Sequence, residues 1–401
     1  MRILIVTQYF YPENFKSNDM AFELAKRGHD VTVLCGIPNY PEGAYYEGYG
    51  LFQKRSETIN GVKVYRCFQS ARGRKAKGAF LALNYLTFAA FGSLWALYLG
   101  LFKKYDRVIV HEPSPITQAV PAIIVKKLQK IPFHIWVLDI WPDAMSSGGG
   151  IKNKRILSAM TKFVRWIYRN STKILISSKG FTELILKQGE EFKDKLVYFP
   201  NWSDDVLQQP QQSIPKLPEG YKIMMAGNLG SAQTIKAVME AALLLKDYKE
   251  VKWIFVGDGS EKPYIDEFVA KHHLKDTVFA LGRFPANCMG SFYRQADAML
   301  ITLRAKFPHI RAVVPARLQN YMSSGNPIIG MADGGVAETI REANCGICVP
   351  AEDYKALSET ILIILKQKED FAQFGKNGRE YFLQHFTKDH CIDNLEKIIE
   401  S

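Results

Sequence analysis

Five short segments carry residue types whose spacing suits phosphate and hydroxyl chemistry. Ala226-Gly-Asn-Leu-Gly230 follows an apolar run and precedes a helical pattern. Gly227 and Gly230, with Asn228 between them, let backbone N–H groups approach a phosphate, and the helix start adds partial positive charge. An ordinary strand–helix turn has the same form. Phe255-Val-Gly-Asp-Gly-Ser260 opens like a dinucleotide fingerprint at Gly257, but Lys262 stands where a third glycine belongs. It reads as a structural turn beside a nucleotide, not an NAD site. In Val314 to Pro327, Pro315 can start a helix, which puts Arg317 in its first turn. A cation there adds to the positive end of the helix dipole, an unfavourable arrangement unless an anion such as a diphosphate lies nearby. A solvated surface arginine is the alternative. His111 and Glu112, in Val110-His-Glu-Pro-Ser-Pro115, and Asp139 and Asp143, in Asp139-Ile-Trp-Pro-Asp143, follow apolar runs. A parallel sheet presents catalytic groups at such strand ends. The histidine suits a reacting hydroxyl near neutral pH. The two aspartates suit sugar hydroxyls or the orientation of a basic group, or else cap a helix.

These segments are positioned by alternating elements. Apolar runs at Arg2 to Tyr9, Val31 to Cys35, Val62 to Cys67, Asp106 to His111, Phe133 to Leu138, Lys173 to Ser177 and Leu196 to Phe199 predict the strands of a parallel sheet. Ser17 and Gly28 read as the N-cap and stop of a first helix. Residues 204–220, rich in Gln and Pro, read as a linker. A second set of strands follows, at Lys222 to Ala226, Trp253 to Val256, Val278 to Ala280, Ala298 to Ile301 and Pro327 to Gly330. The expected organisation is α/β: one Rossmann-like domain over 1–203, the linker, a second over 221–380, and a C-terminal helix over 381–401. Ligands are expected in a cleft at the carboxyl ends of both sheets.

The chain has 401 residues, a net charge of +12 and six scattered cysteines. The charge suits anionic lipid or phosphorylated substrates. With neither zinc-type cysteine spacing nor an aromatic-basic RNA motif, nucleic acid is not an expected partner. Cys345-Gly-Ile-Cys348 lacks the context of a redox motif. Free thiols, and Met1-Arg2 leading straight into a strand, predict a cytoplasmic protein. Gly78 to Phe102 contains no charge over twenty-five residues and is flanked by Arg72, Arg74, Lys75, Lys77, Lys103 and Lys104. It is long enough to cross a bilayer, but the next residues return at once to a sheet strand. We read it as a helix lying on or dipping into a membrane, with Asn84, Tyr85, Trp95 and Tyr98 as interfacial groups. A fully buried helix is the alternative.

In order along the chain, Ala25 to Val33, His111-Glu-Pro113, Asn201, Gly227 to Gly230, Val256 to Gly259, Gly282-Arg283, Pro315 to Pro327 and Gly334 to Glu338 resemble family 4 glycosyltransferases of the GT-B fold. Tyr9-Phe-Tyr-Pro-Glu13, Asp139-Ile-Trp-Pro142 and the apolar segment resemble the subgroup that builds bacterial capsule, colanic-acid and O-antigen repeats, which includes L-fucosaminyltransferase-like enzymes. The resemblance implies two Rossmann-like domains facing a cleft and a retaining, metal-independent transfer with no cofactor. The donor is a nucleotide sugar, expected to be UDP-linked, and the sugar a hexosyl or amino-deoxyhexosyl unit. The acceptor is a polyprenyl-diphosphate-linked glycan at the cytoplasmic face of the inner membrane. On the donor side it implies roles for Gly227, Asn228, Gly230, Gly257, Gly282, Arg283, Phe284, Arg317, Leu318, Asn320 and Glu338. It puts His111 and Asp139 at the reaction centre, and Pro12, Glu13, Glu112 and Asp143 on the acceptor side. The chain contains no Asp-x-Asp metal clamp. The family's two glutamates would fall at Ala312 and Asn320, so the ribose and sugar contacts differ there. A sugar-nucleotide epimerase of the same fold and a non-catalytic partner of a polysaccharide-assembly complex remain the alternative readings.

Overall fold

The computed structural model describes residues 1–73, 78–147 and 150–400. Arg74, Lys75 and Lys77, three of the cations preceding the apolar segment, lie outside them. The described chain divides into a first unit, Met1–Phe199 with Ile392–Ser401, and a second, Pro200–Cys391.

The apolar runs of the first unit become strands because, in the interior of a parallel sheet, both faces of each strand are covered. β1 (Arg2–Val6), β2 (Asp30–Gly36), β3 (Ser56–Ile59), β4 (Val62–Cys67), β5 (Arg107–Glu112), β6 (Phe133–Val137), β7 (Lys173–Ile176) and β8 (Leu196–Tyr198) form one sheet in the order β3-β4-β2-β1-β5-β6-β7-β8. All pairs are parallel except β3–β4. That hairpin was not anticipated, because Ser-Glu-Thr-Ile is short and polar. Its turn is Asn60-Gly61, both residues with positive φ, and Ile59 pairs with Val62. Asn-Gly is the favoured two-residue hairpin loop.

The first helix, α1, spans Lys16–Lys26 and is preceded by Phe15 as N-cap. Ser17 does not cap it: its hydroxyl donates to the Tyr9 carbonyl at 3.1 Å. α2 is the uncharged segment itself, Gly78–Phe102. It packs on α3 (Val120–Gln129), and its buried residues include a row four apart, Asn84, Phe88, Gly92, Ala96 and Gly100. A Cβ at Gly92 would lie 3.0 Å from Pro121, and one at Gly100 2.7 Å from Leu128. These glycines therefore set how closely the two helices approach. The rest of α2 is apolar yet uncovered, with Phe80 69% and Leu101 62% exposed. The fully buried alternative therefore does not hold for this helix. α4 (Asp143–Ser147) follows the Asp-Ile-Trp-Pro segment, and Asn153 caps α5 (Lys154–Asn170) by accepting from the Arg155 and Ile156 N–H groups.

In the second unit, β9 (Tyr221–Ala226), β10 (Val251–Val256), β11 (Val278–Gly282), β12 (Ala298–Thr302), β13 (Ile328–Met331) and β14 (Gly346–Val349) form a parallel sheet in the order β11-β10-β9-β12-β13-β14. Ile223 and Met225 enter one core and Met224 and Ala226 the other, as side chains alternating along a strand covered on both faces must. β14 begins directly after Cys345 and contains Cys348 of the Cys-x-x-Cys segment, and both thiols are free. Residues 204–220 contain neither helix nor strand. The tail is not one helix from 381. One helix ends at His385 and another spans Lys388–Glu400, with the His390 N–H donating to the Thr387 hydroxyl at 3.4 Å. From Ile392 onward the tail belongs to the first unit, where the Arg27 guanidinium donates to Glu396 at 2.8 Å and the His29 ring lies 2.8 Å from the same carboxylate.

Candidate active site

The turns that follow β9, β10 and β11 in the second unit hold one another through backbone hydrogen bonds. The Gly227 N–H donates to the Val256 carbonyl and the Gly257 N–H to the Gly282 carbonyl, each at 2.8 Å. Gly227, Gly257 and Gly282 all have positive φ, a conformation that costs glycine least. Gly230 has an ordinary extended φ, and its N–H donates to the Gln233 side chain at 3.0 Å. These turns border a cavity of about 760 Å³ lined by Gly227, Asn228, Gly257, Arg283 and Phe284, among others.

Arg317 lies in the first turn of the helix Ala316–Ser324, as its spacing predicts. Its Nη2 donates to the Asn228 carbonyl at 2.8 Å, and its Nη1 is buried without a hydrogen-bond partner. Tyr321 of the same helix both accepts from the Ala226 N–H and donates to the Ala226 carbonyl, which fixes the helix against the end of β9. A guanidinium with an unmatched donor beside a glycine turn is suited to a phosphate oxygen, because charge-assisted hydrogen bonds to such oxygens are among the strongest available. Arg304 instead pairs with Glu352 at 3.6 Å.

Six donor-side residues from the sequence are not among those lining this cavity: Gly230, Gly282 and Arg317, which belong to its bordering turns and the adjacent helix, and Leu318, Asn320 and Glu338. Leu318 is 0% exposed and belongs to the hydrophobic core, so it offers a ligand no surface. Asn320 accepts a hydrogen bond from the Ser203 hydroxyl. Glu338 lies exposed in the first turn of the helix Gly335–Glu342 and is not among the lining residues.

In the first unit, β5 and β6 carry His111, Glu112 and Asp139 to the carboxyl edge of the sheet. His111 is 1% exposed, and its Nδ1 lies 3.4 Å from the Thr7 hydroxyl. Burial pushes its pKa down to about 3, so the ring is neutral near pH 7 and does not titrate there. Glu112 is 0% exposed, and among the described residues neither carboxylate oxygen has a partner of good hydrogen-bond geometry, the Asp139 backbone N–H being the polar group that acts on it. Burial first, then the charge of Asp139, raise its pKa well above the usual range. Asp139 is only partly buried. Its Oδ1 accepts from the Ile140 N–H at 2.9 Å, and desolvation raises its pKa to about 7. Asp143, partly exposed at the start of α4, adds to that rise.

Ser114 joins this group to α2. Its hydroxyl accepts from the Trp141 indole at 3.2 Å and favours the charged form of Asp139, and the Trp141 ring meets Tyr85 of α2 with centroids 6.5 Å apart. The amphipathic residues of α2 therefore divide. Tyr98 is exposed, as an interfacial group should be, but Asn84 is 0% exposed and accepts from the Gln8 side chain at 2.7 Å. Its polarity serves a buried network instead of a lipid boundary. Glu13 is likewise 1% exposed: its oxygens accept the backbone N–H groups of Phe10, Asn39 and Tyr40. It shapes the loop while Pro12, partly exposed beside it, remains at the surface. Sequence reasoning missed Tyr9, Ser114 and Arg72 as parts of this edge. The Tyr9 ring stacks on Phe15 with centroids 4.9 Å apart.

Comparisons with known proteins give a consistent family. Residues 208–381 match the family model described as glycosyl transferases group 1, and residues 17–202 match a glycosyl transferase 4-like domain. The chain is 24% identical to the putative colanic acid biosynthesis glycosyl transferase WcaI of Escherichia coli, over 97% of this chain and 99% of that protein. It is 25% identical to N-acetyl-alpha-D-glucosaminyl L-malate synthase of Bacillus anthracis, over 52% of this chain and 51% of the other. Its fold is similar to the crystal structure of Anabaena HepE in complex with UDP, with a TM-score of 0.72, 14% identity and full coverage of both chains.

Proposed function

This chain is a glycosyltransferase of the GT-B fold, and from that premise we propose that it transfers a sugar from a UDP-linked donor, with retention and without a metal, to a polyprenyl-diphosphate-linked glycan in surface polysaccharide synthesis. The transferred unit is a hexosyl or amino-deoxyhexosyl group. The observation that carries this reading is Arg317, with one donor on the Asn228 carbonyl and another buried and unmatched, beside the cavity formed by the glycine turns. As the glycosidic bond breaks, charge grows on the departing diphosphate, and fixed cations and N–H dipoles lower the barrier most there. Arg283 and Phe284 line the same cavity and suit the base and ribose. The UDP in the HepE complex supports the choice of nucleotide, and the likeness to WcaI supports a role in polysaccharide assembly.

The first unit takes the acceptor. Asp139, partly exposed, accepts a hydrogen bond from the incoming hydroxyl, while buried His111 stays neutral. Asp139 gains its charge as the pH rises through about 7, whereas His111 is already neutral far below that. We therefore expect kcat/KM for the acceptor to rise with pH through about 7, and Asp139→Asn to lower the plateau and remove that limb. A limb that survives in Asp139→Asn would refute the assignment.

The uncovered side of α2 is read as the surface that meets the membrane at its cytoplasmic face, with Lys103 and Lys104 at one end suited to anionic headgroups. Leu97 and Leu101 are 42% and 62% exposed, so polar replacements there cost the fold little. Burying two leucines is worth roughly 3 kcal/mol in all. The double change Leu97→Asp, Leu101→Asp should lower vesicle partitioning about 100-fold in a flotation assay. Unchanged flotation would remove α2 from the membrane contact.

The whole reading is tested by supplying the purified protein with a panel of nucleotide sugars and a short-chain polyprenyl-diphosphate sugar, then following products by mass spectrometry. A product heavier by one sugar is expected. Conversion of a nucleotide sugar without acceptor would favour an epimerase, and donor binding without any conversion a non-catalytic partner.

A further inference from the structure

Arg72 has the character of a cation awaiting an anion. Its Nη1 donates to the Tyr9 hydroxyl at 2.9 Å, and its guanidinium lies over the rings of Tyr40 and Tyr9, at 5.0 and 5.5 Å from their centroids. Its Nε is buried without a partner. Among the described residues it has no ion pair. The carboxylate whose charge acts on it, Glu13, spends its oxygens on three backbone N–H groups. Arg66, on neighbouring β4, shows what a structural arginine looks like here: its Nε is likewise buried without a partner, but its charge is matched by Glu57 and it donates to the carbonyls of Tyr11 and Lys54.

The surroundings hold Arg72 in place. Its backbone N–H donates to the Asn39 side chain, which the Asn84 amide of α2 also approaches. Tyr85, the next residue of α2, meets the Trp141 ring with centroids 6.5 Å apart, the Trp141 indole donates to Ser114, and the polar groups of Tyr9 and Asp139 act on this pair. A continuous line of contacts therefore runs from the guanidinium, across two tyrosines, to the partly exposed aspartate. Beyond Tyr85, α2 presents its uncovered apolar side.

We propose that Arg72 is the diphosphate-binding residue for a lipid-linked acceptor. The anionic head rests on the guanidinium, the sugar lies against the tyrosine rings toward Asp139, and the hydrocarbon leaves along α2. This rests on the reading of the first unit as the acceptor side. A planar guanidinium with unspent donors, already stacked on aromatic rings, is the group that best matches phosphate oxygens.

The test measures binding to the full chain by calorimetry, with farnesyl diphosphate, farnesol and inorganic pyrophosphate as probes. The wild type should prefer farnesyl diphosphate to farnesol. Arg72→Gln should shrink that preference about 10- to 100-fold, the range of a hydrogen bond to a charged group, and Arg72→Lys should restore part of it. Pyrophosphate should compete with farnesyl diphosphate in the wild type. An unchanged preference in Arg72→Gln overturns the proposal. So does an equal loss of both prenyl ligands, which would make Arg72 a structural residue. If no polyprenyl-diphosphate sugar accepts a sugar in the transfer assay, the proposed function fails, and the binding preference still decides the role of Arg72.

Discussion

Arg317→Gln is expected to lower kcat with the nucleotide-sugar donor by about 100- to 1,000-fold, the range for losing a donor aimed at developing charge. Folding should suffer far less. Among the described residues Arg317 makes one hydrogen bond, to the Asn228 carbonyl, and a single bond of this kind contributes about 1 kcal/mol net. The variant should therefore melt within a few degrees of the wild type, while its turnover falls by orders of magnitude. Arg317→Lys keeps the charge but loses the planar fork, and should lie between the two. The measurement is steady-state turnover alongside a melting curve. Turnover within twofold of the wild type, or a loss matched by unfolding, would rule out the diphosphate role.

The second large effect is expected from Gly257→Ala. Gly257 has φ of +149°, and a Cβ added there would lie 1.9 Å from the Gly227 carbonyl oxygen. That oxygen is backbone, held in the turn that borders the nucleotide cavity, and cannot move aside alone. The substitution should cost about 3 kcal/mol through strain and overpacking and lower Tm by about 5–10 °C. Because it displaces Gly227, it should also weaken UDP binding at least about tenfold. Gly28→Ala is the control: φ is again positive, at +91°, but nothing lies within 4 Å of the new methyl group. It should show only a modest loss of stability and normal UDP affinity. Wild-type UDP affinity in Gly257→Ala would separate this glycine from the nucleotide turn.

Features set by local pattern were legible in the sequence. The apolar runs from Arg2 and Lys222 are strands, and Pro315 precedes the helix that carries Arg317. The missed strands are both four residues long: β3 is polar at a sheet edge, and β14 is a brief run that takes in the second cysteine of the Cys-x-x-Cys segment. What sequence cannot show is which partner a polar side chain meets after folding. Asn84 looked interfacial because the residues beside it are apolar, yet it closes a network with Gln8 and Ser70. Glu13 was expected on the acceptor side, but three N–H groups of two loops converge on it. Leu318 follows Arg317 in the chain and turns the opposite way, into the core. His111 was read as a titrating group, and only its depth at the end of β5 reveals that it stays neutral near pH 7.

The return of the last ten residues to the first unit governs how the protein can be divided. A fragment stopping at Phe199 would lack the helix that carries Glu396, stranding the side chains of Arg27 and His29 without their shared carboxylate. Isolating the amino-terminal half in a usable form therefore calls for grafting that helix back, through a short spacer, while the carboxy-terminal half can end before Ile392.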